Sequence, residues 1–254
     1  MKSKLTLPTV AYFSMEIALD PAIPTYSGGL GVLAGDTLRS AADIGAPLIA
    51  VTLVYREGYF RQRLDSAGNQ SEEPQRWDPE HVLAPVEGRV TIEIERRPVV
   101  VRAWKYTVQG VTGETVPVYL LDTNVPENAP EDRALTNSLY GGNERYRLCQ
   151  EAVLGLGGIK LLNKLGYTNI QGYHMNEGHS SLLALGLLER RLDQSFAGRV
   201  KALDIESVRR LCIFTTHTPV PAGHDEFPRS LVEEVLGDER VKLLDEAGVL
   251  HADK

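Results

Sequence analysis

The sequence predicts an α/β fold built on a parallel sheet, and three observations point to it. Short apolar runs such as "PLIAVTLVY" (47–55) lack polar alternation, as strands covered on both faces do. Segments with helical spacing lie between those runs. Polar clusters fall where strands stop or where a glycine loop opens a helix: "SGGLG" (27–31), "HMNEGHS" (174–180) and "TTHTPVPAGHD" (215–225). In open α/β sheets, ligands bind beyond the carboxyl ends of the strands, so the shared placement of these clusters matters more than any one of them.

The elements follow in order. "VAYFSMEIA" (10–18) reads as a buried strand with a polar end. "DPAIPTYSGG" (20–29) is loop, because two prolines and a glycine pair forbid regular structure. From Leu30 the spacing is helical, through Leu33, Ala34, Leu38, Ala41 and Ala42. Gly45 ends that helix and Pro47 prevents its continuation into the strand at 47–55. "RVTIEIERRPVVVRAWKYTV" (89–108) alternates, and "VPVYLLDTN" (116–124) follows a "TGE" turn. These segments predict a β-meander inserted at about 86–124 into one α/β domain over 1–254. "PENAPED" (126–132) is a surface loop. "NERYRLCQEAVLGLGGIKLLNKLG" (143–166) predicts one long helix ended by Gly166. Its internal glycines, each costing about 1 kcal/mol of helix stability, predict close packing against another element. A strand at 169–177, a helix at 179–192, a strand at 210–217 and two amphipathic helices at 228–236 and 238–248 complete the pattern.

Composition limits the function classes. The 254 residues suffice for one large domain or two modest ones. A 43% hydrophobic and 24% charged chain is ordinary for a globular protein with a sizeable core. The net charge of −7 offers no basic patch for nucleic acid. No stretch approaches the ~20 apolar residues of a membrane span. Pro8 and polar residues interrupt any apolar region of a signal peptide, and with only Cys149 and Cys212 the expected setting is a reducing cytoplasm.

The clusters admit several chemistries. Gly29, Gly31 and Ala34 fit G-x-G-x-x-A, but "PAIPTYS" before them cannot be the strand that a dinucleotide fingerprint requires. The loop is then either a glycine entry to a helix or an anion site in which the amides of Gly28, Gly29 and Leu30 face a phosphate. His174, Glu177 and His179 are spaced H-x-x-E-x-H, which matches neither zinc-protease helix motif, and no metal is expected. His174 reads as a satisfied histidine near a strand end. Asn176, Glu177 and His179 suit hydrogen bonds to sugar hydroxyls, and Glu177 equally suits a helix cap. His217 follows an apolar strand and precedes two prolines, where it serves either a rigid, pre-organised site or the structure alone. His224 and Asp225 suit an ion pair.

Taken in order, the stretch from "AYFSMEIALDPAIPTYSGGLGVLAGDTLRS" to "REGYFRQRLDSAGNQ", then "VPVYLLDTN", "RYRLCQEAVLGLGGIKLLNKLGY", "YHMNEGHSSLLALGLL" and "FTTHTPVPAGHDEF", resemble the α-glucan phosphorylases. The likeness is to the N-terminal portion of the short bacterial and archaeal type of this glycogen/maltodextrin phosphorylase family. The resemblance implies phosphorolysis of terminal α-1,4-glucosidic bonds to glucose 1-phosphate, with retention of configuration. It implies a Rossmann-like N-terminal domain of a two-domain GT-B glycosyltransferase. The implied cofactor is pyridoxal phosphate, working through its own phosphate group. By similarity Gly28 and Gly29, with Leu30, face the phosphates, His217 contacts the glucosyl unit, and Asn176, Glu177 and His179 form the polar loop beside it. The family more often has aspartate where Glu177 stands. Its cofactor lysine and the basic cluster that grips phosphate lie in a C-terminal domain, and no lysine here matches the attachment position. That domain is therefore expected to be absent from this chain, the first domain to be incomplete after Phe214, and the chain alone to lack phosphorolysis. Expected partners are α-1,4-glucan, inorganic phosphate and glucose 1-phosphate, with a second copy or a complementing C-terminal domain. Two other readings compete: a sugar-nucleotide-dependent glucan synthase, which usually carries a lysine where Thr25, Tyr26 and Ser27 stand, and a non-catalytic glucan-binding fragment.

Overall fold

The structure, a computed structural model, describes residues 9–195, 199–217 and 225–250. The chain enters through strand β1 (Thr9–Ser14), helix α1 (Gly29–Asp43) and strand β2 (Leu48–Leu53). An exposed hairpin follows, β3 (Arg61–Leu64) with β4 (Gln70–Glu73), and then the short β5 (Ala84–Pro85). Strands β6 (Val90–Ile94), β7 (Arg97–Gln109) and β8 (Thr115–Asp122) pair antiparallel in succession. After the one-turn helix α2 (Pro130–Arg133) comes a long helical stretch, α3 (Glu144–Ala152) and α4 (Gly158–Lys164). The last part is β9 (Ile170–Asn176), α5 (Leu182–Ser195), α6 (Ala202–Arg209), β10 (Cys212–Thr215), α7 (Arg229–Leu236) and α8 (Asp238–Glu246).

The central sheet has eight strands in the order β10-β9-β1-β2-β8-β7-β5, with β6 also paired to β7. The five strands β10, β9, β1, β2 and β8 run parallel, so the predicted α/β class with a mostly parallel sheet is present. Strand β8 pairs parallel with β2 and antiparallel with β7, which makes the meander continuous with the central sheet.

Burial on both faces explains the apolar strand runs. Along β2, Ile49, Val51 and Leu53 enter one core cluster while Ala50 enters the other. Strand β1 divides likewise, Ala11 and Phe13 against Tyr12. Helix α1 covers one face with Ala34, Leu38, Ala41 and Ala42. Leu33, expected in that stripe, is instead exposed beside the glycine loop. The other face carries the helical stretch 144–164, α5 and α7.

That stretch is helical throughout but not uniformly α: Val153–Gly157 forms a π-turn between α3 and α4. Its glycines do pack closely, as their helix cost predicts. A Cβ on Gly155 would stand 2.5 Å from the Leu183 amide nitrogen, and one on Gly158 2.5 Å from the Phe13 ring. Gly166 closes the stretch at φ +83°, a left-handed position that glycine takes without strain.

Candidate functional site

Strand β1 lies at the point where the sheet order reverses. The chain proceeds from β1 to β2 and β8 on one side, and returns to β9 and β10 on the other. The crevice at the carboxyl ends of β1, β9 and β10 is the place where such sheets bind ligands. Ser14, Asn176 and Thr215 end those strands in adjacent register.

A hydrogen-bonded chain of polar groups runs across these strand ends, buried at Ser14, Glu16 and Asn176 and exposed at its two extremities. The Ser14 hydroxyl donates to the Glu16 carbonyl at 2.6 Å and accepts from Asn176 Nδ2 at 3.1 Å. Asn176 Oδ1 therefore faces outward, where it meets His217 Nε2 at 2.9 Å. Because the Asn176 oxygen only accepts, this order places the imidazole proton on Nε2 and leaves Nδ1 as the ring's acceptor. On the other side of Glu16, its carboxylate Oε2 accepts from the Ser27 amide at 2.6 Å, the Ser27 hydroxyl at 3.2 Å and the Gly28 amide at 3.2 Å. Oε1 accepts from the Tyr140 hydroxyl at 3.2 Å. Burial, then the Glu16 charge and hydrogen bond, push the Tyr140 phenol well above its ordinary range, so it remains a donor.

The glycine loop thus connects to His217 through Glu16, Ser14 and Asn176. The Gly28 amide is engaged by Glu16. The amides of Gly29 and Leu30 begin α1 with no acceptor among the described residues, and the first bond along the helix is Val32 N–H to the Gly28 carbonyl. Nothing among the described residues demands glycine at 28 or 29. A Cβ at either would meet nothing within 4 Å, and neither has positive φ. Gly31 and Gly35 differ: a Cβ there would stand 2.5 Å from Tyr26 Cβ and 2.1 Å from the Ala18 carbonyl oxygen.

Glu177 is buried at φ +68°, ψ 172°. That region is nearly exclusive to glycine and costs on the order of 1–3 kcal/mol. Its amide donates to the Thr215 carbonyl at 2.9 Å and its carboxylate accepts from the His217 amide. The carboxylate makes no capping bond to the following turn and holds the His217 backbone. Ser180 fastens that turn to β1 by donating to the Phe13 carbonyl at 3.1 Å. His179 sits with its ring 5.3 Å from that of Tyr140 and its Nε2 3.7 Å from an Asp225 carboxylate oxygen. Arg147 on α3 pairs with the same carboxylate.

His217, Asn176, Glu177 and His179 are brought together, and the glycine loop joins them. His174 is a neighbour of the cluster, bonded through Nε2 to the Thr215 hydroxyl at 2.8 Å and edge-on to Tyr12. Burial, then the nearby His217, lower its pKa. His224 and the two prolines after His217 lie outside the described residues. Glu16, Tyr140 and Arg147 were not singled out by the sequence. Glu16 carried a usable signal, a carboxylate at the polar end of a buried strand. Tyr140 and Arg147 carried none. Among the described residues no group of three His, Cys, Asp or Glu side chains is placed to hold a metal ion, and no helix is long and apolar enough to cross a membrane.

The sheet is that of an α/β protein, with a cluster of buried polar groups at the reversal of its strand order. No family model matches the chain. It is 41% identical over 234 residues to the maltodextrin phosphorylase of Thermococcus litoralis, covering 89% of this chain and 27% of that protein. It is 41% identical over 249 residues to the glycogen phosphorylase of Mycobacterium tuberculosis, covering 92% and 28%. It is 36% identical over 234 residues to the glycogen phosphorylase of Aquifex aeolicus, covering 89% and 32%. The chain belongs to the glycogen and maltodextrin phosphorylase family, and spans about a quarter to a third of the length of these relatives.

Proposed function

We propose that this chain is the N-terminal, Rossmann-like part of a GT-B α-glucan phosphorylase. On this reading it holds the end of an α-1,4-glucan for phosphorolysis to glucose 1-phosphate. The carrying observation is the continuous hydrogen-bonded path from the Gly28 amide through Glu16, Ser14 and Asn176 to His217. It supports this reading because it holds the His217 imidazole and the start of α1 in one frame. The strand order β8-β2-β1-β9-β10 supports the Rossmann-like reading, because it places the third, second, first, fourth and fifth parallel strands as doubly wound sheets do.

The residues divide the work. His217, held through both its ring and its amide, offers Nδ1 to a glucosyl hydroxyl. Asn176 and Glu177 position it, and His179 lines the same crevice. The amides of Gly29 and Leu30 present fixed dipoles to phosphate oxygens and need no reorganisation as charge develops. Bare glycine at 28 and 29 lets an oxyanion approach, which accounts for residues that the chain's own packing does not require.

Pyridoxal phosphate is the family's cofactor, and its bound phosphate would serve as the acid/base partner of the substrate phosphate. The fit here is partial. The helix-start amides suit its phosphate, but the cluster contains no lysine for its aldehyde, and Lys160 is bonded away on another face to the Thr91 carbonyl. The attachment lysine belongs, on this reading, to a C-terminal domain that completes the cleft, with the complete enzyme acting in the cytoplasm as a homodimer.

Maltodextrin binding tests the proposal. The native chain is expected to be retarded in an amylose affinity gel without releasing glucose 1-phosphate. His217→Ala should weaken that retardation at least tenfold while leaving the melting temperature within a few degrees. Equal retardation of native and variant chains overturns the assignment of His217. Retention that survives fusion to a phosphorylase C-terminal domain without any phosphorolysis would favour the glucan-binding reading.

A further inference from the structure

Behind the crevice lies a carboxyl group that the proposed function does not use. Glu151 on α3 is 3% exposed, and its Oε1 has no hydrogen-bond partner among the described residues. One helical turn before it on the same helix stands Arg147, whose buried Nε is likewise without a partner. A donor and an acceptor four residues apart in a helix are within reach of each other. Yet Arg147 does not pair with Glu151. It turns its Nη2 to Asp225, which also faces His179.

We propose that Glu151 is a positioning residue for this site: as the uncharged acid it leaves the Arg147 guanidinium to Asp225, and its ionisation draws Arg147 across to itself and releases Asp225 from beside His179. The arginine is then an element with two seats, its orphaned Nε marking the second. Asp225 follows the described end of the His217 segment, so both His217 and Asp225 are tied to the loop at 177–179, one through Glu177 and the other through His179.

The surrounding charges leave Arg147 as the deciding one. On α3 itself Arg145 is bound to Glu95. From α7, Arg229 pairs with Glu233 and Asp245, and Glu234 faces Arg145. On the crevice side Asp225 pairs with Arg147, His179 faces Asp225 and the Tyr140 ring, and the Tyr140 phenol feels the charges of both Arg147 and Glu177. Burial pushes the Glu151 carboxyl up to about 8, and Arg147 is the charge that opposes it. An acid of that strength is uncharged at neutral pH and ionises under mildly alkaline conditions.

The inference uses the proposed function only for its consequence, that release of Asp225 loosens the loop at 177–179 beside His217. Its test needs no turnover. The native chain, labelled with ¹³C at glutamate side chains and ¹⁵N at arginine Nε, is titrated from pH 6 to 9.5 by NMR. The Glu151 carboxyl is expected to titrate near pH 8, and the Arg147 Nε–H resonance to move downfield in step with it. In Asp225→Asn, Arg147 should be captured by Glu151 already at neutral pH, moving the Glu151 midpoint down by at least one pH unit. In Glu151→Gln the Arg147 signal should not move. A Glu151 midpoint below pH 6, or an Arg147 signal indifferent to that titration, overturns the proposal. Both readings come from the native chain and stand even where a variant fails to fold. Loss of amylose binding in the native chain would sink the proposed function without touching either.

Discussion

At residue 29 the protein uses glycine where its own packing would accept alanine. The position begins a helix with negative φ, and open space surrounds the missing Cβ. Gly→Ala at such a place commonly stabilises by about 0.4–1 kcal/mol, mainly by restricting the unfolded chain. Gly29→Ala is therefore expected to raise the denaturation midpoint slightly and to abolish the shift of the Leu30 amide resonance on phosphate titration. A destabilised variant, or an undiminished phosphate response, would show that the glycine serves the fold instead. Glu177 shows the complementary case, a side chain kept in a conformation that glycine prefers because its carboxylate holds the His217 amide. The sequence disclosed which polar residues gather at the strand ends, since β1, β9 and β10 each announce their end by an abrupt change from apolar to polar. It did not disclose that the Gly28 amide is bound by Glu16, because that contact depends on how residues 17–26 fold back, with Ile17 N–H bonded to the Thr25 carbonyl. Nor did it disclose Tyr140 or Arg147, which reach the crevice only through tertiary packing.

At the scale of elements, the glycines within 153–158 are not equivalent. A Cβ on Gly155 meets the backbone of α5 at 2.5 Å, and one on Gly158 meets Phe13 on β1 at 2.5 Å and Val51 on β2 at 3.1 Å. One on Gly157 meets Leu121 and Val101 at an ordinary 3.8 Å. Gly155→Ala and Gly158→Ala should each destabilise by about 1–3 kcal/mol through overpacking. Gly157→Ala should be neutral or gain up to about 1 kcal/mol from helix propensity. Urea denaturation of the three variants separates packing from propensity, and equal effects in all three would refute the packing account. The close approach was legible in the sequence because the glycines contradict an otherwise helical spacing. The π-turn was not, since one extra residue in a turn leaves no mark on composition. The β3–β4 hairpin escaped detection for another reason: its residues are exposed on both faces, so no alternation exists to be read. Helix α6 is nearly as silent, with Asp204 and Val208 its buried residues.

Over the whole molecule, buried acids of opposite tendency shape stability against pH. Burial raises the Asp122 carboxyl, but the Arg56 hydrogen bond and charge and the Trp104 indole outweigh it and hold it below its ordinary value. Burial likewise raises Glu95, and Arg145 and Arg97 outweigh it. A carboxyl depressed in the folded state contributes stability above its unfolded pKa and loses it as pH falls through the folded pKa, so both groups act on the acid side. The lowered His174 also favours the fold above its ordinary 6.5 and loses that contribution on acidification. Glu151 has the reverse sign. Raised to about 8, its contribution is complete below the ordinary carboxylate range and is lost as pH rises to that value. Between pH 6.5 and 8 the depressed carboxyls are ionised in both states and the His174 contribution is nearly complete, and among the described residues with a shifted value Glu151 is the group that binds a proton in the folded state but not in the unfolded one. Each pH unit there corresponds to about 1.4 kcal/mol, so the native chain should lose about 2 kcal/mol across this window. Glu151→Gln should be flat over the same range, because an amide has no proton to release and occupies the same volume. Urea midpoints measured at half-unit intervals decide it: a native curve as flat as that of the variant would mean that Glu151 is ionised in the folded protein at neutral pH, with a solvated or paired carboxylate where the structure places a buried acid.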